Sequence, residues 1–290
     1  MKILTLDIGG TVIKSGIIQN DILSEKKEEP SNAQLGGAHL LETVKQIITT
    51  YSGFNGIGIS TAGQVDSNTG IIRYANKNIP AYTGTKVQEI LQERFNVPVA
   101  VENDVNAAAL GEVIYGAGKN TKNKDFLCLT YGTGIGGAII IDRKIYKGAA
   151  FSAGEMGHII THGKENSGYY EDYASTRALV ENVQAVLPEI NNGKNIFKNI
   201  ENPDVKNIVD NWIKEVLYGL AGLIHIFNPS LIILGGGIME ENYIIDSLRK
   251  NVNDYIMPSF SDVVLEQAAL GNDAGLWGIG YLAKHKTDNK

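Results

Sequence analysis

The sequence predicts an α/β fold in two lobes, and three observations carry that prediction. At 290 residues the chain exceeds a typical single domain. Short β-branched runs alternate with patterns of helical spacing. A pattern of strand, glycine turn and strand also occurs twice. Asp7-Ile8-Gly9-Gly10-Thr11 leads into residues 12–18, and residues 125–131 run through Gly132-Thr133-Gly134 into residues 136–141. Such a repeat is expected when two lobes derive from one duplicated unit.

Residues 2–7, 12–18 and 22–29 are β-branched runs broken by Gly9-Gly10 and Gln19-Asn20-Asp21, which predicts an opening antiparallel sheet. Residues 38–51 place Leu40, Leu41, Val44, Ile47 and Ile48 on one helical face. A strand is predicted over 54–60, a helix over 85–95, a strand over 97–101 and an alanine-rich helix over 103–115. The small, polar stretch 116–124 is the expected crossover between lobes. It divides a first lobe, residues 1–117, from a second, residues 118–272. Strands follow at 125–131, 136–141 and 144–147. Helices follow at 176–186 and at 204–227, the latter with an apolar stripe from Val205 to Ile224, and a last helix at 273–284. Its extension, residues 273–287, is expected to join the first lobe.

Composition narrows the function. With 43% hydrophobic and 20% charged residues the chain can build cores without staples. A formal charge of −6, from 26 basic and 32 acidic residues, argues against a nucleic-acid partner. No apolar run suits a membrane span or leader, and the single cysteine, Cys128, falls in a strand-like run, so a cytoplasmic location is expected.

Three glycine turns have the form that holds phosphate. Gly9 and Gly10 can bend the backbone and present N–H groups, Thr11 adds a hydroxyl, and Asp7 is suited to hold Mg²⁺ through water. Gly132-Thr133-Gly134-Ile135-Gly136-Gly137 satisfies the dinucleotide spacing, but a β-branched strand follows it rather than a helix, which disfavours a nicotinamide cofactor. Residues 231–234 run apolar into Gly235-Gly236-Gly237, where a flat adenine or ribose could approach the backbone, although a strand-to-helix turn would need the same glycines. Three such turns in one chain favour a nucleotide cleft. In Val101-Glu102-Asn103-Asp104-Val105-Asn106 a carboxylate stands where a buried strand becomes a helix. Asp104 there could be a cap, worth about 0.5–2 kcal/mol, or a reactive group; Asn103 and Asn106 could cap equally well.

Taken in order, these motifs, with Gly154-Glu155-Met156-Gly157-His158 and Glu171-Asp172-Tyr173-Ala174-Ser175, resemble the ROK family of sugar kinases and repressors within the actin-like ATPase superfamily. The resemblance implies a two-lobed actin-like, ribonuclease H-like duplicated fold with a nucleotide cleft between the lobes. It implies transfer of the ATP γ-phosphate to a hexose or hexosamine, at the 6-hydroxyl, with Mg²⁺. Asp104 would be the base, and Gly63, Asn78, Asn103, Glu155, His158 and Glu171 would bind the sugar. Asp7, Gly9, Gly10, Thr11, Gly132, Thr133, Gly134, Gly235 and Gly236 would bind the nucleotide. A homodimer is likewise implied.

The sequence departs from the family in one loop. Relatives hold a structural zinc with the motif histidine and three cysteines, whereas residues 159–170 contain no cysteine, so no structural zinc is expected. Ile159-Ile160 suggests a strand that would set His158 and His162 too far apart to chelate. Tyr169 and Tyr170 are expected to pack the loop instead. The short loop resembles that of some N-acetylmannosamine and β-glucoside kinases more than that of typical glucokinases, and the resemblance as a whole leans the acceptor toward N-acetylmannosamine, glucose or a β-glucoside. Two rival readings are a sugar-sensing regulator without catalysis and a filament-forming or chaperone-like actin relative. The first would carry a DNA-binding domain before the first turn, and the second would not need Asn103-Asp104 with Glu155, His158 and Glu171.

Overall fold

The structure is a computed structural model describing residues 1–122, 124–163 and 168–288; Asn123 of the expected crossover lies outside the described residues. The chain forms two compact units. Unit 1 comprises Met1–Lys119, Lys147–Ala153 and Asn272–Lys290, and unit 2 comprises Asn120–Tyr146 and Gly154–Gly271.

Unit 1 opens with β1 (Lys2–Ile8), β2 (Val12–Gln19) and β3 (Ile22–Pro30), an antiparallel meander. Helix α1 (Gly37–Thr49) then buries Leu40, Leu41, Val44, Ile47 and Ile48, the face its spacing predicts. Strand β4 (Gly56–Thr61) lies parallel to β1 and is buried along its whole length. The small hairpin of β5 (Gln64–Asp66) and β6 (Ile71–Tyr74) precedes α2 (Val87–Phe95), β7 (Val99–Asn103) and α3 (Asp104–Ile114). The sheet order is β3-β2-β1-β4-β7. Because β1, β4 and β7 are parallel, their carboxyl ends share one edge. Their register sets Asp7, Ser60 and Glu102 in one row and Ile8, Thr61 and Asn103 in the next. Ligand-binding groups of open α/β sheets gather at such ends.

Unit 2 repeats the plan. Strands β8 (Phe126–Tyr131) and β9 (Ile135–Ile141) form an antiparallel hairpin, which β10 (Lys144–Ile145) extends. Short helices α4 (Tyr170–Ala174), α5 (Thr176–Gln184) and α6 (Gly193–Lys198) lead to α7 (Pro203–Phe227). That long helix starts from an Asn202 cap with Pro203 in its first turn, and it buries the stripe from Val205 to Ile224. Strand β11 (Leu231–Gly235), α8 (Asn242–Asn251) and β12 (Val264–Gln267) complete an order of β10-β9-β8-β11-β12. Here too an antiparallel hairpin is followed by two strands parallel to its first member. The twofold pattern read from the glycine turns is therefore a repeat of strand order and sense.

Helix α9 (Ala274–Asp288) returns to unit 1 and packs on α3, β1 and β4. Gly278 allows the close crossing with α3, because a Cβ there would overlap the Ala107 carbonyl. The strand expected at Ile159-Ile160 does not form. Met156–His158 makes a single 3₁₀ turn instead, and Ile160 contributes only an isolated bridge to Tyr169.

Candidate active site

Unit 1 holds the carboxylate corner. Asn103 ends β7 in extended geometry and caps α3, its Oδ1 accepting from the Asn106 backbone N–H at 3.0 Å. Its Nδ2 donates to Gly63 O at 3.0 Å and to Asp104 Oδ1 at 2.8 Å, and Oδ1 of Asp104 also accepts from the Val105 N–H at 3.0 Å. Capping therefore falls to Asn103, and the Asp104 carboxylate is fixed by two donors without serving as the cap. Burial, and then the negative charge of Asp7, push the Asp104 carboxyl up to about 6, against the opposing hydrogen bonds. A carboxylate titrating near neutrality suits proton acceptance from a hydroxyl.

Asp7, at the end of β1, is also raised, first by burial, while a hydrogen bond from Ser60 Oγ at 2.6 Å and the nearby Lys14 ammonium oppose the shift. A Cβ on Gly275 of α9 would stand 2.9 Å from the Asp7 carboxyl, so this glycine keeps the space beside it open. The turn after Asp7 is closed by Gly9 N–H donating to Val12 O at 2.9 Å, and a Cβ at Gly10 would meet nothing within 4 Å. Gly10 and Thr11 are exposed. One half-buried carboxylate beside an open glycine turn fits Mg²⁺, which takes one or two carboxylates and completes its coordination with water and phosphate oxygens.

Gly63 has φ +102, and a Cβ there would press on the Tyr74 carbonyl, so its left-handed backbone places the carbonyl that Asn103 reaches. Asn78 is exposed in the turn after β6, its N–H donating to Asn76 Oδ1 at 3.0 Å. Gly63, Asn103 and Asp104 thus form one hydrogen-bonded group, and Asn78 stands outside it.

In unit 2, Glu155, His158 and Glu171 gather around the 3₁₀ turn Met156–His158. Glu155 Oε2 lies 3.8 Å from His158 Nδ1, and both side chains are more than half exposed. Glu171 Oε2 accepts from the Ile135 N–H at 3.1 Å, and a Cβ on Gly157 would stand 2.8 Å from the same oxygen. Glu171 therefore anchors the glycine turn instead of standing as a solvated surface charge. That turn is closed by Gly132 N–H to Gly134 O at 2.9 Å and tied to α5 by Arg177, which donates to Gly132 O and Thr133 O. Gly235 pairs with Thr130 in the parallel register of β11 with β8. Gly236 has φ +97, and a Cβ there would overlap the Tyr131 carbonyl, so both its backbone angle and its neighbour demand glycine.

Among the described residues, no group of three or more His, Cys, Asp or Glu side chains could hold a metal ion, and Cys128 is buried in β8. Residues 164–167 of the loop lie outside the described residues. His158 and His162 have separate partners. The His158 ring lies 5.1 Å from that of Tyr169, while His162 Nε2 stands 2.7 Å from Glu215 Oε2 on α7 with its ring 4.2 Å from Tyr173. Tyr170 is fully buried and joins Tyr131 and Val216 O through its hydroxyl; Tyr169 is 48% exposed. Among the described residues of the loop, packing is carried by buried Tyr170 and the His162–Glu215 pair, while half-exposed Tyr169 contributes only its contacts with His158 and Ile160.

Ser60 and Lys147 belong to no motif that assigns them a role, and Glu102 enters the sequence reading only as part of the motif around Asp104, yet all three stand in this corner. What joins them is the register of three parallel strands and a segment remote in sequence, which no local motif encodes.

The ROK family model matches residues 3–286. A β-glucoside kinase of Listeria monocytogenes is 33% identical over 97% of each chain. Among solved structures, the Listeria monocytogenes protein Lmo2764, described as a candidate N-acetylmannosamine kinase, superposes with a TM-score of 0.89 at 28% identity, covering 100% of this chain and 99% of that one. A ROK family glucokinase from Streptomyces griseus in complex with glucose and AMPPNP gives a TM-score of 0.83 at 28% identity, covering 98% and 100%.

Proposed function

The chain belongs to the ROK family, and from that premise we propose that Asp104 is the general base of its ATP-dependent sugar kinase activity, with the 6-hydroxyl of a hexose or hexosamine as nucleophile. Sugar kinase activity with ATP follows from the family and from relatives that are β-glucoside kinases and glucokinases. The observation that carries the base assignment is the Asp104 carboxyl itself, pushed up to about 6 and locked by Asn103 and Val105.

The reaction balances simply. The sugar hydroxyl oxygen bonds to the γ-phosphorus, the bond to the β–γ bridging oxygen breaks, ADP leaves, and the hydroxyl proton passes to Asp104. With Oδ1 held by two N–H donors, Oδ2 is the oxygen turned to the hydroxyl. Gly63, Asn78, Asn103, Glu155, His158 and Glu171 are the residues assigned to the remaining sugar hydroxyls. A set rich in carboxylate and amide groups rejects acceptors that leave those groups unpaired. Gly9, Gly10 and Thr11, with Gly132–Gly134 and Gly235–Gly236, bind the nucleotide. Asp7 would hold a hydrated Mg²⁺, which would supply charge neutralisation for the transferred phosphoryl group.

The acceptor is glucose, a β-glucoside or N-acetylmannosamine, the classes to which the similar proteins point. The test is kcat/KM across glucose, cellobiose, N-acetylmannosamine, N-acetylglucosamine and fructose with Mg-ATP, followed by NMR of the product. Phosphorus coupling at C6 is expected; coupling at another carbon overturns the assigned hydroxyl.

A further inference from the structure

Glu102 stands directly before the proposed base and is 1% exposed. Its Oε1 accepts from the Asn103 backbone N–H at 3.0 Å and from Asn106 Nδ2 at 3.1 Å. One carboxylate oxygen thus holds both the residue that clamps Asp104 and the residue whose N–H that clamp caps. The other oxygen, Oε2, is buried with no hydrogen-bond partner among the described residues. Its nearest cation is Lys147 Nζ at 3.8 Å, on a side chain about one-third exposed. Lys147 opens the segment Lys147–Ala153, which belongs to unit 1 although the chain on both sides of it belongs to unit 2. The segment is also fixed at Phe151, whose ring lies 5.8 Å from the Arg73 guanidinium and whose φ of +59 is unusual for an aromatic residue.

A carboxylate taken out of water and left uncompensated is costly, so an unpaired Glu102 would draw in water or turn away from its two donors. We infer that Glu102 and Lys147 are positioning residues: Lys147 neutralises the buried carboxylate, and Glu102 in turn holds Asn103 and Asn106 so that the Asp104 carboxylate keeps its orientation. The kinetic part of this inference rests on Asp104 being the base. The stability part does not.

The test compares Lys147→Met, Lys147→Arg and the double variant Glu102→Gln/Lys147→Met with the unaltered protein, by sugar-dependent ADP release and by thermal melting. Lys147→Met is expected to lower kcat at least about tenfold while the KM for ATP stays within about twofold, since the disturbance falls on Asp104 and its clamp Asn103 and not on the glycine turns. It should also lower Tm by roughly 5 °C. Lys147→Arg, which keeps the cation, should stay within about threefold of the original kcat. In the double variant the side-chain amide introduced by Glu102→Gln still accepts at Oε1 and no buried charge remains, so recovery of at least about half of the lost Tm and a roughly fivefold gain in kcat over Lys147→Met are expected. A Lys147→Met enzyme with unchanged kcat overturns the inference, as does a double variant that recovers Tm but not kcat, which would leave the pair a stabilising contact only. If the unaltered protein releases no ADP with any sugar, the kinase reading itself fails. The melting cycle then still decides the pairing: no recovery of Tm in the double variant overturns it.

Discussion

Replacing Asp104 with Asn should remove catalysis and, at neutral pH, make the protein more stable. The side chain keeps its shape, and its Oδ1 can still accept from Asn103 Nδ2 and the Val105 N–H. What disappears is a negative charge that burial and Asp7 both oppose. The folded protein holds the proton more tightly than the unfolded chain, with a value of about 6 against 3.8. Ionised Asp104 therefore destabilises the fold above about pH 6, and the penalty vanishes below about pH 4, where both states are protonated. At roughly 1.4 kcal/mol for each tenfold change in proton affinity, the penalty is at most about 3 kcal/mol. Water reaching the side chain and the lost charge-assisted hydrogen bonds reduce the expected gain to about 1–3 kcal/mol, or several degrees in Tm. Thermal melts of both proteins at pH 4 and pH 8 check this, beside ADP release with sugar. The expected result is an inactive variant that melts higher at pH 8, with the difference closing toward pH 4. A variant that melts lower than the original protein at pH 8 would mean that the ionised carboxylate does not strain the fold, and one that turns over at its rate would mean that Asp104 is not the base.

The acidic limb of the kcat/KM profile should bend near pH 6, falling about tenfold per pH unit below it, because Asp104 must be ionised to accept the proton; a limb bending near pH 4 would contradict that. Ser60→Ala should push the Asp7 carboxyl further up by removing its hydrogen-bond donor, so a titration of activity against free Mg²⁺ should move toward higher metal, and the more so as the pH is lowered. Gly236→Ala should destabilise by about 2 kcal/mol or more, seen as a lower Tm, because the substituted residue would have to hold φ +97 against the Tyr131 carbonyl.

Much of this architecture was legible because it is written locally. The stripe of α7 and the apolar runs of β4 and β11 follow the periodicity of buried elements, and the two glycine turns betray the duplicated hairpin. A cap at the start of α3 was legible, but the sequence left it open among Asp104, Asn103 and Asn106, and the fold gives it to Asn103. What escaped is long-range. The row of Asp7, Ser60 and Glu102 exists only because three parallel strands align in register. Lys147 reaches Glu102 only because a seven-residue segment packs away from its flanking chain. Ile159-Ile160 has the β-branched character of a strand but no neighbour beyond a single bridge, so propensity yields to the turn before it. Adjacent tyrosines fared differently, since Tyr170 lies beneath α7 while Tyr169 faces outward.

ADP release from Mg-ATP in the presence and absence of each acceptor sugar is the measurement that decides whether this protein is a sugar kinase with Asp104 as its base. Release is expected to depend on one preferred hexose or hexosamine and to be lost in Asp104→Asn. Folded protein that binds ATP yet releases no ADP with any of these sugars, or an Asp104→Asn variant as active as the original, would contradict it.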